Sequence, residues 1–158
     1  MQVLLSEEQY TEEVKLRLVT YPDTRLTTKC VPVEKIDKEF RSWVHDMIFI
    51  CRAHHGIGIA APQVGILQNF FYWKFSPNVV INPIIRKRKG QIHTEESCLS
   101  LPNLVVPVRR SESIEVTFYD MVGKEYNEKY KGERAVVFQH EWDHLQGRLI
   151  TFYQSGNK

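Results

Sequence analysis

Across residues 36–51 the apolar side chains Ile36, Phe40, Trp43, Val44, Met47, Ile48 and Cys51 recur mostly at steps of three and four. This spacing predicts a helix with one apolar face. Asp37 is its candidate N-cap, and Gly56 and Gly58 are expected to end it. The period then shortens. Phe70–Trp73 and residues 79–81 are aromatic or β-branched runs separated by Ser76-Pro77-Asn78, the pattern of a hairpin. Residues 104–108 and Ser113–Tyr119 read as further strands, the latter alternating Ile114, Val116 and Phe118. Asp120-Met121-Val122-Gly123 reads as a turn, with residues 125–130 returning as a partner strand. From Glu133 to Leu145 the pattern is helical again, with Ala135, Val136, Val137 and Phe138 available for burial. Gly147 is a natural stop. The expected fold is α+β: one N-terminal helix, then antiparallel β-sheets packed around a late central helix.

The 158 residues suit a single domain spanning 1–158. A net charge of +2 is too small to suggest nucleic-acid binding, and Arg86-Lys87-Arg88-Lys89 reads as a solvated turn. Three cysteines, Cys30, Cys51 and Cys98, form no paired spacing, which argues against a disulfide framework. No run approaches the roughly eighteen apolar residues of a membrane span, and no leader is visible at the N-terminus. The expectation is a soluble cytoplasmic protein, by default a monomer.

The chemistry concentrates late in the chain. His140-Glu141-Trp142-Asp143-His144 places two imidazoles four residues apart on one helical face, able to meet at one cation. Glu141 lies beside that point, placed to take a proton from water activated by the cation. The residues after His144 contain no His, Asp, Glu or Cys, so a third ligand must lie upstream. The candidates are His54, His55, His93, Glu95, Glu96 and Cys98. Cys98 is the best of these on chemistry, since a Cys/His/His set leaves a fourth position open. Cys30 and Cys51 read as packing residues.

The small residues of Gly56-Ile57-Gly58-Ile59-Ala60-Ala61-Pro62-Gln63-Val64-Gly65 lack a dinucleotide spacing. They suit close approach of another backbone, as in β-strand addition of an extended peptide. Gln63 is the lone polar side chain there. It serves either as a buried structural amide or as a donor to an oxyanion.

Three segments, GIGIAAPQVG at 56–65, ESCLS at 96–100 and QHEWDH at 139–144, closely resemble the ordered motifs GxGhAAxQ, EGCLS and QHExDH of peptide deformylases. Thr20-Tyr21-Pro22-Asp23-Thr24-Arg25-Leu26 also resembles that family's opening segment, so the similarity runs from about Leu16 to Phe152. The resemblance implies hydrolysis of the N-formyl group from the initiator methionine of nascent polypeptides. It implies Cys98, His140 and His144 as ligands of Fe²⁺, with Zn²⁺, Ni²⁺ or Co²⁺ as substitutes. It implies Glu141 as general base and acid, with the Gln63 amide and the Leu99 backbone N–H polarising the formyl oxygen. The peptide would lie along Gly56-Ile57-Gly58, its methionine in a pocket walled by Ile57, Val136, Val137 and the His140 ring.

The chain departs from the family at Ser97, where a glycine is usual, and near Val105, often an arginine. His54 and His55 stand where acidic residues are common. Only fourteen residues follow His144. The chain is in this similar to short, phage-encoded members without a C-terminal ribosome-docking helix, leaving at most transient ribosome contact. Two rival readings are an HExxH endopeptidase and a catalytically inactive metal- or peptide-binding module.

Overall fold

The computed structural model describes residues 14–155. Helix α1, Lys38–Ala53, begins where expected, because the Asp37 carboxylate accepts the Phe40 N–H at 2.9 Å. Its buried face is Phe40, Val44, Met47, Ile50 and Cys51, with Trp43 and Ile48 only half-buried. Neither expected glycine supplies its left-handed stop. His55 takes that conformation (φ +57°), and Gly56 follows it by donating its N–H to the Cys51 carbonyl at 2.8 Å.

Strands β1 (Gly58–Ala60), β2 (Phe70–Trp73), β3 (Val79–Lys89), β6 (Ser113–Tyr119) and β7 (Glu125–Lys131) form one antiparallel sheet in the order β1-β2-β3-β6-β7. Strands β4 (Ile92–Cys98) and β5 (Leu101–Arg110) form a separate antiparallel pair. The hairpin, the Asp120–Gly123 turn region and the β7 return stand as the sequence pattern predicts. Arg86–Lys89 is a correction: these residues extend β3 rather than forming a turn. The ladder accepts them because Lys87 faces Glu115 at 3.6 Å. Arg88 turns back onto the late helix, reaching Gln139 at 3.1 Å and lying over the Trp142 ring.

That late helix, α2, spans Glu133–Leu145 and stops at Gly147, whose φ is +78°. A side chain at Gly147 would also strike the Thr27 carbonyl at 2.8 Å. Ala135, Val137, Phe138 and Leu145 pack with Phe71, Trp73, Val80, Val116 and Phe118 of the large sheet. A second apolar cluster sets α1 against Ile59, Phe70 and Tyr72. A third joins Val106 and Val108 of β5 to Leu26, Leu149 and Ile150. Helix α2 is thereby held between the two sheets, with β1 on one side of its polar face and the β4–β5 turn on the other. Among the described residues no helix is long and apolar enough to cross a membrane.

Candidate active site

Two elements bring the candidate metal-ligating side chains together. On α2, His140 and His144 stand one turn apart with ring centroids 5.0 Å from each other. Cys98 ends β4, immediately before the tight turn into β5. Its Sγ lies 3.5 Å from His144 Nε2. One ligand atom from each of Cys98, His140 and His144 falls within 4.8 Å of the others. A tetrahedral ion with metal–nitrogen bonds of about 2.0–2.1 Å and a metal–sulfur bond of about 2.3 Å needs N and S roughly 3.5 Å apart. The donor set therefore fits a thiophilic divalent cation. The other upstream candidates do not join it. His54 caps the end of α1, His55, His93 and Glu95 are exposed, and Glu96 touches His140 instead.

Glu96 is the centre of a buried ionic network that sequence reasoning did not reveal. Its Oε1 accepts from His140 Nδ1 at 2.8 Å, which leaves the His140 Nε2 lone pair for a metal. Arg110, at the end of β5, holds the same carboxylate through Nε at 2.9 Å and Nη2 at 2.7 Å. The Thr94 hydroxyl donates to Glu96 Oε2 at 2.7 Å. Burial opposes ionisation of Glu96, but these hydrogen bonds from Arg110 and His140 outweigh it and hold the carboxyl well below the usual range. Burial likewise disfavours a charged His140. The bonds to Cys98 and Glu96 and the Glu141 charge prevail, raising it to about 10 in the absence of a cation. His144 moves the other way, well below its usual value, through burial and the His140 and Arg110 charges. Burial and the neighbouring positive charges thus keep the His144 imidazole neutral, the form in which a ring nitrogen can ligate a metal.

Glu141 is 3% exposed, and burial pushes its carboxyl up to about 7, with the Glu96 charge adding to the rise and His140 opposing it. One of its oxygens, Oε1, has no hydrogen-bond partner. Gly58 makes room for it: a Cβ at Gly58 would lie 2.8 Å from Glu141 Oε2. Gln63, in the 3-10 turn Ala61–Val64, is fixed by the Ala60 N–H, which donates to its Oε1 at 2.9 Å. Its Nε2 then faces the donor set, 3.5 Å from Cys98 Sγ and 3.1 Å from Ser100 Oγ. Leu99 occupies the β4–β5 turn, where its Cδ1 would meet a Cβ at Gly56 at 3.1 Å.

The other residues singled out by the sequence surround this centre unevenly. Ile57 is 44% exposed beside β1, and Val136 is half-buried one turn before His140. Val137 belongs to the core cluster around Phe138. Ser97 lies within β4 and outside the left-handed region, so its Cβ brings no backbone strain. Cys30 and Cys51 are buried and free, as packing residues would be.

A model of the polypeptide deformylase family matches residues 15–157. The chain belongs to the polypeptide deformylase family. Among deformylase relatives, that of Nitrosococcus oceani is 37% identical over 145 residues, covering 89% of this chain and 87% of its own. That of Karelsulcia muelleri is 33% identical over 144 residues, covering 85% and 76%. The crystal structure of the Thermotoga maritima peptide deformylase superposes with a TM-score of 0.83 at 37% identity, covering 87% of this chain and 95% of that one. The α+β deformylase fold is therefore shared as a whole. Arg110 is the polar site residue the sequence did not announce, and Asp143 and Ser100 stood in the quoted motifs without an assigned role, since nothing in a sequence marks a buried polar contact until its partner is in place.

Proposed function

We propose that this chain hydrolyses the N-formyl group from the amino-terminal methionine of newly made polypeptides, releasing formate. One observation carries the reading: a Cys/His/His donor set has an amide N–H 3.5 Å from its sulfur and, on the same helix as its histidines, a buried carboxyl with an unpartnered oxygen. A divalent cation held by Cys98 Sγ and the two imidazoles supplies, when bound, Lewis-acid polarisation and a lowered pKa for water. Fe²⁺ is the physiological choice by family, and the thiolate equally suits Zn²⁺, Ni²⁺ or Co²⁺.

The chain's own residues do the rest. Glu141 takes a proton from the attacking water and delivers it to the departing amine. Gln63 Nε2 and the Leu99 backbone N–H donate to the formyl oxygen as negative charge develops on it. Glu96 keeps His140 in the tautomer that presents Nε2. Among the described residues strand β1 pairs with β2 alone, so its outer edge beside Gly56-Ile57-Gly58 offers backbone groups to an extended peptide, the Ala60 N–H being already taken by Gln63. The methionine side chain is assigned to the apolar surface of Ile57, Val136 and the His140 ring, with Val137 backing it. Substrates of this kind fit an enzyme of the cytoplasm acting on chains as they emerge from ribosomes, with a monomer as the default state.

The test is formate release from formyl-Met-Ala by protein loaded anaerobically with Fe²⁺. Steady turnover is expected. Absence of formate from metal-loaded protein overturns the reading, and cleavage of an internally blocked peptide instead favours an endopeptidase.

A further inference from the structure

Tyr153 stands on the 3-10 turn Ile150–Ser155, ten residues beyond Asp143 and outside the three family motifs. Its hydroxyl donates to Asp143 Oδ2 at 2.5 Å and accepts from Arg110 Nη1 at 3.1 Å. The Arg110 guanidinium also lies over the Tyr153 ring, 5.0 Å from its centroid. Arg110 Nη1 itself donates to Asp143 Oδ2.

Two buried carboxylates thus share one guanidinium. Glu96 is 8% exposed, Asp143 is 5% and Arg110 is 4%, so solvent does little to settle the competition. Glu96 is held by both Nε and Nη2 of Arg110 while it accepts from His140 Nδ1. Asp143 draws the same guanidinium from its other edge. The Tyr153 hydroxyl gives Asp143 a second donor and caps the Nη1 edge of Arg110. Both effects lessen the pull away from Glu96.

We infer that Tyr153 is a positioning residue for the metal centre, holding His140 on the cation through the contact series Tyr153–Asp143–Arg110–Glu96–His140. The hydroxyl bonds to Asp143 and Arg110 rather than to the donor set, and the ring packs against the apolar cluster that includes Cys98. Outer hydrogen-bond partners of metal-bound histidines are commonly worth about 10–100-fold in metal affinity. Tyr153 acts on the ligand through three intervening residues, so the low end of that range is expected.

The experiment measures Co²⁺ and Zn²⁺ affinity by chelator competition, together with the visible absorption of the Co²⁺ form. The proteins are wild type, Tyr153→Phe, Asp143→Asn and the double variant. Phenylalanine keeps the ring over Arg110 and removes only the hydroxyl. The expected result is about tenfold weaker metal binding in Tyr153→Phe, with a shifted Co²⁺ spectrum and little change in the melting temperature of the metal-free protein. Because the effect runs through the Asp143 charge, adding Tyr153→Phe to Asp143→Asn should cost much less than that.

Unchanged affinity in Tyr153→Phe overturns the inference. So does a loss of the same size in the Asp143→Asn background, or a loss that only follows the fall in fold stability. The inference rests on Cys98, His140 and His144 being metal ligands. Wild-type protein that binds neither cation defeats that assignment, whereas tight wild-type binding left untouched by Tyr153→Phe defeats only the role of Tyr153.

Discussion

Replacing Gly58 with alanine tests whether the shape of β1 exists to accommodate Glu141. The added methyl would lie 2.8 Å from Glu141 Oε2, 3.2 Å from its Cδ and 3.1 Å from the Tyr72 carbonyl oxygen. Strand β1 has little freedom to retreat, since Gly58 is paired with Trp73 and Ile59 with Tyr72. The carboxylate is the softer partner and must move by about 0.6 Å to reach ordinary contact. Overpacking of this kind costs roughly 1–3 kcal/mol, which for a chain of this length lowers Tm by several degrees. The effect on turnover is larger, because misplacing a catalytic group by about 1 Å costs on the order of a hundredfold. The assay is formate release across a substrate series, beside thermal melting of the same preparations. We expect kcat to fall by roughly ten- to a hundredfold. In Gly58→Ala/Glu141→Asp the shorter carboxylate should restore stability while leaving turnover low. Wild-type kcat in Gly58→Ala, or a double variant no more stable than the single one, would refute the reasoning.

The same contacts fix three further outcomes. Arg110→Met leaves Glu96 and Asp143 buried without their shared cation, which should cost about 3–5 kcal/mol in urea unfolding; a loss below about 1 kcal/mol is incompatible with the network described. Cys98→Ser removes the soft donor, so the protein should lose its divalent cation on gel filtration as read by metal analysis, and full retention contradicts the ligand assignment. Burial pushes the thiols of Cys30 and Cys51 up to about 11 and about 12, so both should stay unalkylated by iodoacetamide at about pH 8 until the protein unfolds. Rapid modification of either, seen as added mass on the native protein, argues against their burial.

Helix α2 was legible to its last residue because a helical pattern met a left-handed glycine at Gly147. Strand β4 was not. Its inward positions include Thr94 and Glu96, and a strand whose buried side is polar has no alternating apolar signature. That polar side exists for Arg110, fourteen residues away, so the reason for β4 lies in tertiary contact rather than in its own composition. The basic end of β3 misled in the same way, since Arg88 is satisfied by Gln139 and Trp142 of a distant helix. Strand β1 has only three residues, one of them glycine, too few to establish a period. The residue types of the proposed centre were readable because metal and proton chemistry restrict the choice to His, Cys and Glu. The residues that orient them were hidden, because any Arg, Asp or Tyr can sit on a surface until the fold encloses it.

Most buried polar side chains of α2 have their partners within the fold. Gln139 is satisfied four times over, by Ala135 O, Ser111 O, Ser111 N–H and Arg88. Asp143 is held by Arg110 and Tyr153, and His140 Nδ1 by Glu96. Glu141 Oε1 and His144 Nδ1 are left without partners. A fold that binds Gln139 and Asp143 in full leaves an oxygen of its proposed base unpaired, and that base should weigh on stability. The sign with pH follows from the direction of the shift. The folded carboxyl has a pKa of about 7 against 4.5 when exposed, so the native state holds its proton more tightly than the unfolded chain does. The metal-free protein therefore loses stability from this group as pH rises from about 4.5 to about 7, and the loss is complete above that, amounting to a few kcal/mol. Glu141→Met keeps the volume and removes the charge. In the metal-free protein it should be more stable than wild type at about pH 8, with the advantage shrinking toward about pH 5. It should bind metal and release no formate. A variant that is less stable than wild type at the higher pH, or that still turns over, would mean the carboxyl is held by the fold rather than reserved for the reaction.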